Sequence, residues 1–184
     1  MKKLFVIAAL ACAVVAGPAF AGPVVSGEFR EGTNSGPSGF DFQYSDTVGP
    51  VAVGAEVETF QPNNAGPVAN LYSLSVGTAL PQVLGFKTVV SAQGGTSEST
   101  GNDFNFWGAN VAVSHAIVGN VTGEVAYRYR TGFDTGKLKE ERLSATAKVA
   151  LTKSTDLGVT YYRYMNDLSH VDGNVVGLGL VHKF

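Results

Sequence analysis

Along most of the chain apolar and polar residues alternate one for one, in short runs broken by glycine, proline and asparagine. A period of two sends successive side chains to opposite faces of an extended strand. Val51, Val53, Ala55 and Val57 alternate with Ala52, Gly54, Glu56 and Glu58. Leu84, Phe86, Thr88 and Val90 alternate with Gly85, Lys87 and Val89. Val125, Tyr127 and Tyr129 alternate with Glu124, Arg128 and Arg130, and Leu143, Ala145, Ala147, Val149 and Leu151 with Arg142, Ser144, Thr146 and Lys148. No window carries an apolar repeat at helical spacing. The pattern predicts an all-β chain of ten strands: Val24–Glu31, Phe40–Asp46, Val51–Phe60, Val68–Ala79, Val83–Ala92, Asp103–Ala116, Val121–Thr131, Glu141–Leu151, Asp156–Asn166 and Asn174–Phe184. Merging the first two, or demoting the short second one, would give eight.

The connections predict how the strands join. Four read as tight turns, around Val48-Gly49-Pro50, Leu80-Pro81-Gln82, Ile117-Val118-Gly119-Asn120 and Thr152-Lys153-Ser154-Thr155. Five are longer and polar: Gly32–Gly39, Gln61–Pro67, Gln93–Asn102, Gly132–Glu140 and Asp167–Gly173. Short and long alternate, as in a closed antiparallel transmembrane β-barrel with tight turns at the periplasmic end and loops at the other. A soluble sandwich would share the strand alternation with its apolar face turned inward. Aromatic placement separates the two. Phe40, Phe42, Tyr44, Phe60, Tyr72, Phe104, Phe106, Trp107, Tyr127, Tyr129, Tyr161, Tyr162 and Tyr164 lie toward the loop ends, where an interfacial girdle belongs.

The N-terminus bears on the compartment. Lys2 and Lys3, the apolar run Leu4 to Val15 and the small-residue site Ala19-Phe20-Ala21 read as a cleaved secretory signal, residues 1–21. A lipoprotein reading with Cys12 lipidated fits less well, because the residues before the cysteine are poorly suited and the apolar run would be very short. The barrel domain is then residues 22–184. Without Lys2 and Lys3 the 13 basic residues fall to 11 against 15 acidic ones, a net charge of −4. No basic block or face appears, so nucleic acid is not an expected partner. Cys12, the single cysteine, leaves with the signal, which excludes disulfides and thiolate metal sites from the domain. No cofactor or metal is expected. Nor does the domain hold an apolar run long enough for a spanning helix, so a span would have to be a closed barrel.

In the last ten residues, Val176, Leu178, Leu180, His182 and Phe184 share one face, and Val175, Gly177, Gly179, Val181 and Lys183 the other. An alternating strand ending on an aromatic carboxyl terminus resembles the closing strand of bacterial outer-membrane barrels. Leu151-Thr152-Lys153-Ser154-Thr155-Asp156-Leu157 with Tyr161 and Tyr162 looks like the last hairpin of general porins. The resemblance implies a Gram-negative outer-membrane location with both termini periplasmic. It also implies periplasmic chaperones and the barrel-assembly machinery as partners in biogenesis, with Val176, Leu178, Leu180, His182 and Phe184 as the assembly signal. Outer-membrane lipid and lipopolysaccharide would surround the barrel. General porins are trimers of roughly twice this length with a long loop folded into the pore. Neither that loop nor the trimer carries over, and the oligomeric state stays open.

The inward parity collects the ionisable residues. Glu28, Asp41, Glu56, Glu58 and Glu124 are the acidic candidates; Arg30, Lys87, Arg128, Arg130, Arg142, Lys148 and Lys183 are the basic ones. Acids gather on the first three segments and bases on the seventh, eighth and tenth. Opposed charged arcs are how porin constrictions select solutes, so the leading expectation is a channel for passive diffusion of small hydrophilic solutes. The alternative is a non-conducting barrel acting structurally or through its extracellular loops. Direct pairing of Glu56 and Glu58 with Arg128, Arg130 or Arg142 would mark a filled lumen; water between them would mark a pore. On the ninth segment Arg163 takes the outward parity with Leu157, Val159 and Tyr161. An enzyme is not expected: of three histidines, His115 faces outward near a turn, His182 lies in the closing strand, and only His170 stands at the loop level beside acidic neighbours.

Overall fold

The computed structural model describes residues 22–33, 38–61, 68–99, 103–133, 139–166 and 173–184. It contains β1 (Val24–Thr33), β2 (Ser38–Val48), β3 (Val51–Gln61), β4 (Ala69–Ala79), β5 (Lys87–Ser99), β6 (Phe104–Val118), β7 (Val121–Gly132), β8 (Lys139–Ala150), β9 (Thr155–Asn166) and β10 (Gly173–Lys183). Each strand pairs antiparallel with its neighbours in the chain, and β10 closes on β1 from Val24↔Lys183 to Thr33↔Asn174. The barrel has ten strands, not eight. Closure removes the two sheet edges whose unpaired amides lipid would not tolerate.

The surface is inverted relative to a soluble protein. Phe29, Phe42, Leu74, Val76, Val125, Leu143, Val159, Leu178 and Leu180 face out and are exposed, while Arg30, Asp41, Glu58, Arg128, Arg130, Glu140 and Arg142 are buried inside. An apolar exterior around a polar interior is the arrangement of a barrel that stands in lipid. Two connections are two-residue turns opened by a glycine in the left-handed region, Gly49 at φ 61° and Gly119 at φ 57°. Glycine at the first central position matches the right-handed twist of the flanking strands.

One strand departs from the sequence reading. Val83–Phe86, expected to begin the fifth strand, is instead a turn closed by the Val83↔Phe86 bridge, with Leu84 at φ 50° and Gly85 at φ 80°. Leu84 and Phe86 are therefore exposed at the turn and are not part of a strand's lipid face. The strand starts at Lys87 and runs through the expected loop Gln93–Asn102 as far as Ser99. Gln93-Gly94-Gly95-Thr96-Ser97 has no apolar alternation to read; its extended conformation comes from pairing with β4 and β6 on either side. The turn-end connection there, residues 80–86, is consequently longer than the tight turn expected. Strict alternation of short and long connections fails at this one hairpin.

The aromatic girdle also needs correction. Phe40, Phe42, Trp107, Tyr127 and Tyr161 are exposed on the outside. Phe106, Tyr162 and Tyr164 are buried in the interior, and Phe60 and Phe104 share that inward parity. Their bulk fills the loop-side half of the barrel.

Candidate functional site

Antiparallel register sets which inward side chains meet. On the β1–β3 wall, Glu28 stands beside Asp41 and Asp41 beside Glu58. Opposite, Arg128 stands beside Arg142 and Arg130 beside Glu140. The two walls touch. Arg128 Nη1 donates to Glu56 Oε1 at 3.1 Å and Nη2 to Glu58 Oε2 at 3.3 Å. Arg130 Nη1 donates to Glu58 Oε2 at 2.9 Å, and its Nη2 donates to Glu56. Arg142 Nη1 lies 3.7 Å from Glu58 Oε1. The acidic and basic arcs expected from the sequence are thus joined at hydrogen-bond distance, the outcome that marks a filled lumen at this level.

Each wall also carries a counter-charge of its own. Arg30, within the acidic wall, donates from Nε to Glu28 Oε1 at 2.6 Å, from Nη1 to Glu58 Oε1 at 2.5 Å, and from Nη2 to Asp41. Glu140, within the basic wall, accepts from Arg128 Nε at 3.0 Å and Nη2 at 2.7 Å. Five carboxylates, of Glu28, Asp41, Glu56, Glu58 and Glu140, therefore face four guanidiniums. Aromatic rings complete the cluster. Arg30 lies 4.6 Å from the Tyr162 ring centre, Arg142 4.8 Å from the same ring, and Arg130 5.2 Å from Phe106. Tyr162 donates its hydroxyl to Glu28 Oε1 at 2.5 Å.

Glycine makes room for these side chains at two positions. A Cβ on Gly177 would stand 2.5 Å from Glu28 Cδ, so the carboxylate lies flat against the β10 backbone. A Cβ on Gly108 would meet Arg130 Cγ at 3.0 Å and the Tyr129 carbonyl oxygen at 2.3 Å. Toward the loop end, Leu71, Phe106, Tyr164 and Val175 are buried above the cluster. Toward the turns, the lumen opens into a cavity of 270 Å³ whose walls include Ser26, Ser75, Gln93, Asn110, Thr146 and Gly179.

The remaining sequence candidates lie outside the charged cluster. Glu124 and Lys148 pair with each other at 3.0 Å in the cavity wall. Lys87 is exposed at the turn end of β5, and Lys183 donates to Asp156 Oδ2 at 2.7 Å. Val176, Leu178, Leu180, His182 and Phe184 line the outer face of β10, with Phe184 71 % exposed. Arg163 faces outward and donates to Asn174 Oδ1 at 3.1 Å. His115 stacks on Phe86 at 4.5 Å on the outside of the turn end. His170 lies outside the described residues. Glu140 and Asp156 were missed as inward carboxylates, though Glu140 shares parity with Arg142 and Asp156 takes the parity opposite to Leu157 and Val159. Tyr162 and Tyr164 went unrecognised because aromatic residues at a strand end read equally well as girdle.

No described protein family matches the sequence, and no curated protein matches it. Solved structures do match in shape. The KdgM porin superposes with a TM-score of 0.54 at 9 % identity, over 88 % of this chain and 99 % of that one. The NanC porin gives 0.53 at 13 % identity, over 88 % and 100 %. The β-domain of the Bordetella autotransporter BrkA gives 0.53 at 10 % identity, over 89 % and 99 %. The fold is one that outer-membrane porins and an autotransporter β-domain share. At such identities the likeness is one of architecture, and the chemistry must come from this chain's own lumen. That lumen offers a polar cavity on the turn side and, across its middle, a charged partition held by side chains alone.

Proposed function

We propose that this chain is an outer-membrane channel for small hydrophilic solutes, closed in the observed conformation by the Arg–carboxylate partition. On this reading residues 1–21 are its export signal, and the β10 outer face is what the barrel-assembly machinery reads. One observation carries the channel reading: Arg128, Glu58 and Glu56, which bridge the lumen, also have partners on or beside their own wall. If Arg128 lets go of Glu56 and Glu58, it keeps Glu140 at 2.7 Å. If Glu58 lets go of Arg128 and Arg130, it keeps Arg30 at 2.5 Å. Glu56 keeps Ser73 at 3.2 Å and Gln43 at 3.4 Å. Among the described residues, opening therefore leaves Arg130 as the one bridging group that needs water, which removes most of the cost of breaking buried ion pairs. Among the described residues, Asp41 Oδ1, Arg130 Nε and Arg142 Nε of the closed cluster are buried without a hydrogen-bond partner. Such atoms favour a state that admits water.

A second reading has its own support. Leu71, Phe106, Tyr164 and Val175 are buried on the loop side of the partition, and an apolar layer there suits a non-conducting barrel. Planar-bilayer recording of the mature protein separates the two. The channel reading expects infrequent, brief openings in the wild type and longer ones in Arg130→Ala, with selectivity shifted toward cations. Folded, heat-modifiable preparations of both proteins that never conduct would establish the second reading.

A further inference from the structure

The 270 Å³ cavity below the partition has the volume of about nine liquid water molecules at roughly 30 Å³ each, enough for a monosaccharide-sized solute. Most of its ionisable side chains are already matched, the exceptions being Asp41 Oδ1 and Arg142 Nε at the edge of the partition. Glu124 holds Lys148 at 3.0 Å, Glu28 holds Arg30 at 2.6 Å, and Arg128 lies between Glu56 and Glu140. A charged solute would have to displace a counter-ion tethered to the wall at hydrogen-bond distance. A neutral one would not.

The free neutral hydrogen-bonding capacity is densest on β4–β6, with the hydroxyls of Ser26 and Ser45 adding to it from β1 and β2. Ser75 stands beside Gln93 across the β4–β5 pair, and Ser91 beside Asn110 across the β5–β6 pair. All four line the cavity. Gln93 Nε2 is buried with no acceptor, and the side chains of Ser75, Ser91 and Asn110 make no hydrogen bond among the described residues. On the opposite wall Thr146 and Thr160 are engaged with each other at 3.1 Å. Two hydroxyls and two carboxamides in adjacent register present alternating donors and acceptors, the complement of vicinal hydroxyl groups.

We infer that this cavity is a binding site for a small neutral polyhydroxylated solute, held by Ser75, Ser91, Gln93 and Asn110. The inference rests on reading the lumen as a solute path, but its test reads occupancy and not flux. The refolded mature barrel in detergent micelles is titrated with D-glucose and with D-glucuronate, with binding followed by saturation-transfer NMR. Glucose is expected to bind at least tenfold more tightly than glucuronate. Ser91→Leu/Asn110→Leu should abolish the glucose signal while heat-modifiable migration is kept. Glu124→Gln, which frees Lys148, should bring glucuronate up to the level of glucose, a gain that a misfolded variant cannot give. Equal binding of both sugars by the wild type, binding of neither, undiminished glucose binding by the leucine variant, or no gain in Glu124→Gln would each overturn the assignment. Glucose bound by a barrel that never conducts would leave the site standing and remove the channel reading alone.

Discussion

Arg130 Nη1 lies 2.9 Å from Glu58 Oε2, tying β7 to β3 across the middle of the barrel. Arg130 is 0 % exposed, so when Glu58 is removed its charge has Glu56, not solvent, to fall back on. Removing one partner of a buried pair costs about 3–5 kcal/mol. Glu58→Ala and Arg130→Ala should each lower stability on that scale in urea unfolding from lipid vesicles. Their double variant should lose less than the two singles together, by about 0.5–3 kcal/mol. Additive losses would show that the bridge contributes nothing as a pair.

Glu28 is held by the bare backbone it leans on. Gly177→Ala would place a Cβ 2.5 Å from Glu28 Cδ, displacing a carboxylate bonded to Arg30 at 2.6 Å, Tyr162 at 2.5 Å and Thr160 at 3.0 Å. Overpacking of this kind costs about 1–3 kcal/mol. Gly94→Ala meets only the Phe106 carbonyl oxygen, at 3.9 Å, and should be neutral or slightly stabilising because glycine is a poor strand residue. Unfolding midpoints of the two variants check this directly. Equal effects would mean that Glu28 relaxes freely.

The outward face should penalise charge according to depth. Leu178 stands in the middle of β10 and is 55 % exposed, whereas Thr33 ends β1 at the loop side. Arginine on the lipid face costs about 2–4 kcal/mol at the bilayer midplane and about 0–1 near the interface. Leu178→Arg should therefore lower the stability of the vesicle-embedded barrel by that larger amount, and Thr33→Arg by little. A similar loss at both positions would argue that the band is not lipid-embedded as oriented.

Strand number, closure and facing were legible because lipid and lumen impose opposite polarity on alternate residues. Ala55 to Glu58 shows that contrast at every step. It failed where neither face imposes a polarity. Gln93 to Ser97 has small polar residues on both sides, and only its partners reveal a strand. Val83 to Phe86 fails for the opposite reason: it alternates well, yet Gly85 in the left-handed region turns the chain. The candidate site was legible as a set of inward charges but not as a set of contacts. Parity places Glu58 and Arg130 inside; only barrel width and rotamers decide that they meet. Glycine at 177 lets Glu28 lie against the wall, a detail of neighbouring strands that no single strand's sequence contains.

The terminal residue offers a separation between assembly and stability. Phe184 is 71 % exposed, and its side-chain contact is an edge-to-face approach to His182 at 4.6 Å. Its amide donates to the Pro23 carbonyl oxygen at 3.0 Å, a bond that any residue except proline can make. An aromatic pair contributes about 0.5–1.5 kcal/mol beyond burial, so Phe184→Asp should change the unfolding free energy of the refolded barrel by no more than about that amount. If the outer face of β10 is the assembly signal, the same substitution should act in cells. The variant should accumulate in the periplasm and be degraded while its refolding into pure lipid stays normal. Fractionation of cells expressing both forms, beside refolding in the presence and absence of purified assembly machinery, reads the two effects independently. Wild-type levels of the variant in the outer membrane would remove the signal role. A large loss of stability in pure lipid would show that Phe184 serves the folded barrel instead.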